Sequence, residues 1–185
     1  TDSNEISGLA VNQLNDPMTP KQALESPYAE DWKKAMLEEY NSLEKNKTWT
    51  LVDRPEGKTV VGSRWVFRTK LKADGTVERR KARLVAKGFT QIPGTHYNET
   101  YTSVARLSSI RFVIALAAER NLELEQLDFT CAYLNGEIEE EIYMEVPKEI
   151  ETILGRKTQD RENKVSRIQK ALYGLKQSGR MWYKK

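Results

Sequence analysis

The chain has 185 residues, 38% of them hydrophobic, which is enough for one buried core with a loosely attached arm. With Cys131 the single cysteine and His96 the single histidine, disulfide frameworks, structural zinc and Cys/His or Ser/His/Asp nucleophile machinery lack their parts, so chemistry must rest on carboxylates, bases and hydroxyls. The net charge of +3 hides a segregation: Arg54 to Gly88 carries eleven Lys or Arg against three acidic residues, Lys164 to Lys185 seven against none, and Glu119 to Glu151 eleven acidic residues against two basic ones.

Two basic segments bracketing an acidic one are either solvated faces or a polyanion channel around metal-binding carboxylates, and charge alone leaves solvated faces the simpler reading. No stretch approaches the roughly 18 uninterrupted apolar residues of a membrane helix, and the N-terminus is polar and acidic, so the chain is expected to be soluble, unsecreted and without a membrane partner.

Residues 1–18 lack periodicity and read as a flexible arm or linker. Thr19-Pro20-Lys21-Gln22 predicts a helix start, with Thr19 as N-cap, Pro20 at the first helical position and Gln22 completing a capping box. Ser26-Pro27 opens a second helix, amphipathic through Trp32, Ala35, Met36, Tyr40 and Leu43 and ending near Asn46. The period then changes to two, through Trp49–Val52, Val60-Val61 and Arg64–Leu71. Asp74-Gly75 supplies a turn and Val77–Ala86 a returning strand, making a hairpin with nine basic residues: Arg64, Arg68, Lys70, Lys72, Arg79, Arg80, Lys81, Arg83 and Lys87. Edge protection needs one or two charges, so this density favours phosphate contact.

Ser108 and Ser109 precede a run apolar nearly all round, Ile110–Ala118, which predicts a buried core helix ending around Asn121. A strand through Leu122, Leu124 and Leu127 should lead to Asp128, followed by a short turn or helix from Cys131 to Gly136 and a second strand through Ile142, Met144 and Val146. Residues 148–163 read as a loop, and Val165–Leu175 resumes an apolar pattern before a helix running to Lys185. An aspartate ending a buried strand opposite a basic hairpin suits metal-assisted phosphoryl chemistry, although local sequence by itself makes Asp128 a helix cap.

Gln126-Leu127-Asp128-Phe129-Thr130-Cys131-Ala132-Tyr133-Leu134-Asn135-Gly136 resembles the first catalytic motif of Ty1/copia-type retrotransposon reverse transcriptases. Arg64–Phe67, Lys81–Phe89, Glu141–Glu145 and Leu172–Gln177 resemble the family's other blocks, in order, and the likeness runs from about Thr19 to Lys185. The resemblance implies an α+β fold, a partial right-hand polymerase with an N-terminal helical arm, fingers at about 47–107 around the basic hairpin and a partial palm at about 108–185. It implies that Asp128, with the backbone carbonyl of Phe129, holds Mg²⁺, two ions serving the intact enzyme in an in-line attack by the primer 3′-hydroxyl. Tyr133 would crowd the ribose 2′ position, or be a core aromatic. Lys81 or Arg83, with Arg68 or Lys70 from the facing strand, would neutralise the triphosphate, with the choice within each pair left open. Gln177 would contact nucleotide and template, and Arg64, Arg80, Lys87 and Lys176 nucleic acid.

The implied partners are an RNA or DNA template with primer, deoxynucleoside triphosphates, and a C-terminal remainder of palm, thumb and RNase H. The implied setting is the cytoplasmic virus-like particle of the parent element, or the nucleus. Ser103 and Gly179 stand where the family commonly has proline, and Lys148-Glu149-Ile150 replaces a frequent Pro-Gly-Phe. The larger departure is that no Asp-Asp pair occurs, whereas the family carries one in a Tyr-x-Asp-Asp hairpin after the Leu-Lys-Gln block. The expectation is therefore a fragment of an RNA-directed DNA polymerase, inactive alone. The alternatives are a non-catalytic nucleic-acid-binding remnant and an unrelated basic α+β RNA-binding module.

Overall fold

A computed structural model describes residues 16–102, 104–147, 149–155 and 163–185, and the fold is mixed α+β. Most of the expected arm, Ser103, Lys148 and residues 156–162 of the expected loop lie outside the described residues. Helix α1 spans Pro20–Glu25: Thr19 Oγ1 accepts the Gln22 N–H at 3.2 Å, and Gln22 Oε1 reaches back to accept from Met18 N–H at 2.8 Å, one residue before the expected partner. Helix α2, Ala29–Lys45, buries Trp32, Ala35, Met36 and Leu43 of the stripe its spacing predicts, with Tyr40 half-buried.

Strands β1 (Trp49–Asp53) and β2 (Val60–Val61) precede the hairpin of β3 (Ser63–Leu71) and β4 (Val77–Ala86). The connection is a five-residue loop rather than a tight two-residue turn, since Leu71 pairs with Val77. Lys72 N–H bonds to Thr76 O, Asp74 Oδ1 accepts both the Thr76 N–H and hydroxyl, and Gly75 takes φ +83°.

Register decides what each side of the hairpin does. Trp65 stands opposite Leu84 and Phe67 opposite Ala82, all buried, and Phe67 meets Trp32 edge-on with ring centroids 5.3 Å apart. Thr69 and Arg80 are the next pair on that same inward face. The Arg80 guanidinium accordingly lies 3.7 Å from the Tyr28 ring centroid and 2.6 Å from Asp31 Oδ2, with its side chain 11% exposed. Arg80, expected to meet nucleic acid, is instead committed to holding β4 on the start of α2, because strand parity turns it inward.

Beyond the hairpin, the chain forms a 3₁₀ turn at Gly88–Thr90, helix α3 (Leu107–Glu119), a 3₁₀ turn at Ala132–Asn135, β5 (Tyr143–Glu145), α4 (Ile150–Leu154), β6 (Lys164–Ile168) and α5 (Ser178–Lys184). Helix α4 falls within the segment expected to be loop. A four-stranded sheet runs β1-β6-β5-β2, antiparallel except for the β2–β5 pair. Val61, Ile142, Met144, Ile168 and Leu172 join the core formed with α2 and the hairpin.

Two expectations are corrected. Helix α3 is apolar but not buried: Phe112 is 68% exposed, Leu107, Ile110, Val113 and Ile114 are exposed, and only Ala117 is buried. Arg106 is its N-cap, so Ser108 and Ser109 fall inside the first turn. The C-terminal end closes with Leu122 N–H on Ala117 O (2.8 Å) and Asn121 in the left-handed region at φ 49°. The strand expected through Leu122, Leu124 and Leu127 does not form, and all three side chains are exposed. Apolar composition reports a preference for burial, but a strand also needs a neighbour to accept its hydrogen bonds, and the described residues provide none.

Arg80→Ala is expected to lower stability by about 1–2 kcal/mol through loss of the stacked, paired guanidinium, with Arg80→Lys recovering only part because an ammonium has no planar face to lay on Tyr28. Thermal unfolding followed by circular dichroism measures this, and an unchanged midpoint for Arg80→Ala refutes the packing role.

Candidate nucleic-acid and nucleotide interface

The same parity that turns Arg80 inward turns its neighbours outward. Arg68 stands opposite Lys81, Lys70 opposite Arg79, and Arg83 opposite Val66, so Arg64, Arg68, Lys70, Arg79, Lys81 and Arg83 share the face away from the core. Both members of each pair that sequence left undecided are therefore on one surface. Arg68 is also within 3.8 Å of Asp16, whose Oδ1 accepts the N–H and hydroxyl of Thr69.

Crowding of cations has an electrostatic consequence. Partial burial, then the neighbouring Arg83 and Arg79 guanidinium groups, hold the Lys81 ammonium below the ordinary lysine value, against the opposing pull of Glu39. Glu39, on α2, accepts the Leu84 N–H at 3.2 Å on the outer edge of β4. Its burial raises the carboxyl pKa, and the Leu84 bond with Arg83 and Lys81 only partly offsets that rise.

The segment 171–178 docks against the base of the hairpin by direct backbone approach. Ala86 N–H donates to Tyr173 O at 2.8 Å, and a Cβ built on Gly174, at φ +92°, would stand 2.1 Å from Ala86 O. A Cβ on Gly88 would stand 2.0 Å from Gly174 O, so both positions exclude a side chain. This docking sets the Tyr173 ring beneath the Arg83 guanidinium, at 4.9 Å, and against the Tyr133 ring, with centroids 4.8 Å apart. Burial raises the Tyr173 phenol pKa. Cys131, at φ 55°, precedes the turn that carries Tyr133, and its Sγ lies 3.3 Å from Ser42 Oγ.

Lys81, Arg83 and Tyr133 are thus brought into one neighbourhood through Tyr173. Asp128 is exposed in an irregular segment, and the Phe129 side chain packs on Trp182 with ring centroids 5.4 Å apart. Among the described residues no three His, Cys, Asp or Glu side chains cluster as a metal-binding group. Asp128 by itself does not fit a site for divalent ions. Arg64 and Lys176 are exposed, and the Lys87 side chain lies over Gly62.

Gln177 differs from its expected role. It is fully buried, its Nε2 donating to His96 O (2.9 Å) and Glu140 Oε2 (3.3 Å) and its Oε1 accepting from Gln91 Nε2 (3.2 Å). An amide occupied at both ends organises the chain around it and is not open to a nucleotide. Reading the sequence alone missed Tyr173, Glu39 and Gln91. Tyr173 lies within the Leu172–Gln177 block and Glu39 on the polar side of an amphipathic helix, so nothing local distinguished either.

The chain belongs to the reverse transcriptase (RNA-dependent DNA polymerase) family, whose model matches residues 46–185. It is similar to copia-type retrotransposon polyproteins: 44% identical over 177 residues to the retrovirus-related Pol polyprotein from transposon TNT 1-94 of Nicotiana tabacum, covering 96% of this chain and 13% of that protein. It is 43% identical over 165 residues to the corresponding polyprotein from transposon RE1 of Arabidopsis thaliana, covering 89% and 11%. A Ty1-BL Gag-Pol polyprotein of Saccharomyces cerevisiae is 35% identical over 159 residues, covering 83% and 8%. The chain therefore spans about an eighth or less of the length of these relatives. No solved structure gives a significant match.

Glu39→Gln is expected to raise the unfolding midpoint at pH 7. Because the folded carboxyl pKa lies above its unfolded value, the stability linked to this proton is full below the unfolded pKa and lost as pH rises through the folded one. The neutral amide keeps the Leu84 acceptor without that loss, so the gap between variant and wild type should close as pH falls to about 4. Urea titrations across pH test it, and a variant less stable than wild type at pH 7 overturns the burial argument.

Proposed function

We propose that this chain is the fingers and part of the palm of a copia-type RNA-directed DNA polymerase, with fingers at about 47–107, a partial palm at about 108–185 and an arm before residue 19. The observation that carries the reading is the outward basic face of the β3–β4 hairpin, whose Arg83 end meets Tyr173, against which Tyr133 packs. In this reading the face takes the phosphates of a primer–template and of an incoming deoxynucleoside triphosphate. Lys81 or Arg83, with Arg68 or Lys70 from the facing strand, neutralises charge there, and Arg64, Lys87 and Lys176 extend the contact along the nucleic acid. Tyr133, braced by Tyr173, crowds the sugar 2′ position.

Two Mg²⁺ ions belong to the intact polymerase, to which this chain would contribute Asp128 and the Phe129 carbonyl, the other carboxylates coming from outside these 185 residues. For the 185-residue polypeptide by itself the reading is binding without catalysis. That reading is supported by Asp128 standing exposed and without a carboxylate cluster among the described residues.

The polypeptide should bind an RNA–DNA primer–template with affinity that falls steeply as salt rises, and should not extend the primer with Mg²⁺ present. Lys81→Ala with Arg83→Ala should weaken binding and lower the salt slope by about two. Affinity indifferent to salt, or to the double substitution, counts against a phosphate-binding face. In an intact polymerase carrying this segment, Asp128→Asn should abolish extension while leaving duplex binding, and Tyr133→Val should raise rNTP use relative to dNTP. Steady-state kinetics on both variants test the assignments, and wild-type activity in Asp128→Asn sinks the first.

A further inference from the structure

The hairpin's basic face and the segment bearing Tyr173 and Lys176 belong to distant parts of the chain, so something must fix one against the other. Backbone contacts hold its first half: Ala86 N–H on Tyr173 O, and the apposed Gly88 and Gly174. Its second half is held by a side chain. Gln91, 6% exposed, accepts the Lys176 N–H on Oε1 at 2.8 Å and donates from Nε2 to Gln177 Oε1 at 3.2 Å. Gln177 in turn donates to His96 O and Glu140 Oε2, tying the segment that leads to β5 into the same network.

A primary amide has one group that accepts and one that donates, and Gln91 uses both on adjacent residues of one segment. Neither function survives in an apolar side chain, and the part-buried Lys176 N–H and the buried Gln177 Oε1 would then be left without this partner. From this geometry we propose that Gln91 is a positioning residue: it clips the segment Tyr173–Gln177 to the hairpin exit and so fixes where the exposed Lys176 ammonium is presented to nucleic acid. Gln91 touches no substrate in this arrangement and acts through Lys176 and Gln177. The consequence for nucleic acid rests on the binding role proposed above, whereas the clip itself does not.

Two measurements separate these. Hydrogen exchange at the Lys176 amide reads the clip directly: it should be protected in the wild-type chain and exchange at least tenfold faster in Gln91→Met, a side chain of similar length with neither group. Binding of an RNA–DNA primer–template reads the consequence through a double-mutant cycle with Lys176→Ala. Each single substitution should weaken binding several-fold and lower the salt slope by about one, and the double variant should be little worse than either. A merely structural glutamine would give additive effects and leave the Lys176 contribution intact. Additive losses, or unchanged exchange at Lys176, overturn the proposal.

A wild-type chain that binds no nucleic acid refutes the functional reading instead, and the exchange measurement then decides the clip alone. Should Gln91→Met not fold, Gln91→Glu keeps the acceptor for Lys176 N–H and should retain its protection, and rapid exchange there overturns the assignment.

Discussion

The two-residue period of the β3–β4 hairpin is the constraint from which the rest of the structure follows. Once Trp65, Phe67, Ala82, Leu84 and Ala86 are buried against α2, every odd-numbered position of β4 must face the other way. A one-residue slip would drive Lys81 and Arg83 into the core, and the desolvation of two charges makes that register inaccessible. Burial of the apolar set and display of the basic set are thus one event. Arg80 is the exception that follows the rule, since its inward position is tolerable only with Asp31 to pair it and the Tyr28 ring to cover it.

A two-stranded ribbon has two open edges, and each is met by groups from other parts of the chain. Asp16 takes the Thr69 N–H on the outer side of β3, while Glu39 and the Tyr173 carbonyl take those of Leu84 and Ala86 on β4. Satisfying the edges this way blocks further strand addition and ties the hairpin to α2 and to segment 171–178. The two carboxylates also set negative charge beside a cationic surface: Asp16 close to Arg68, and Glu39 exerting its pull on Lys81 and Arg83. Glu39 carries a burial penalty for doing so, while Lys81, held below its usual pKa by burial and like charge, gains from any anion that approaches.

By contrast, the region from Leu107 to Phe129 makes few commitments within the described residues. Helix α3 forms from its own backbone bonds and left-handed Asn121 terminus, yet displays Phe112, Val113 and Ile114 to solvent. The segment after it carries Asp128 without a sheet to hold it. Close backbone packing therefore lies at the base of the basic hairpin, where Gly88 and Gly174 touch, and not around Asp128.

What the sequence determined by itself is local. The N-cap at Thr19, the stripe from Trp32 to Leu43, the extent of β4, the turn from Cys131 to Gly136 and the family blocks were legible because each depends on residues near in the chain or on a recurring string. Tertiary structure alone decided which basic residues face outward together, since that requires knowing which face of the hairpin meets α2. It turned Arg80 and Gln177 from ligand contacts into packing and network residues, because burial and amide saturation depend on partners 49 and 86 positions away. It also left α3 and the Leu122–Leu127 segment exposed where composition predicted a core. Hydrophobicity states that a surface favours burial, and only the arrangement of the other elements determines whether anything is there to cover it.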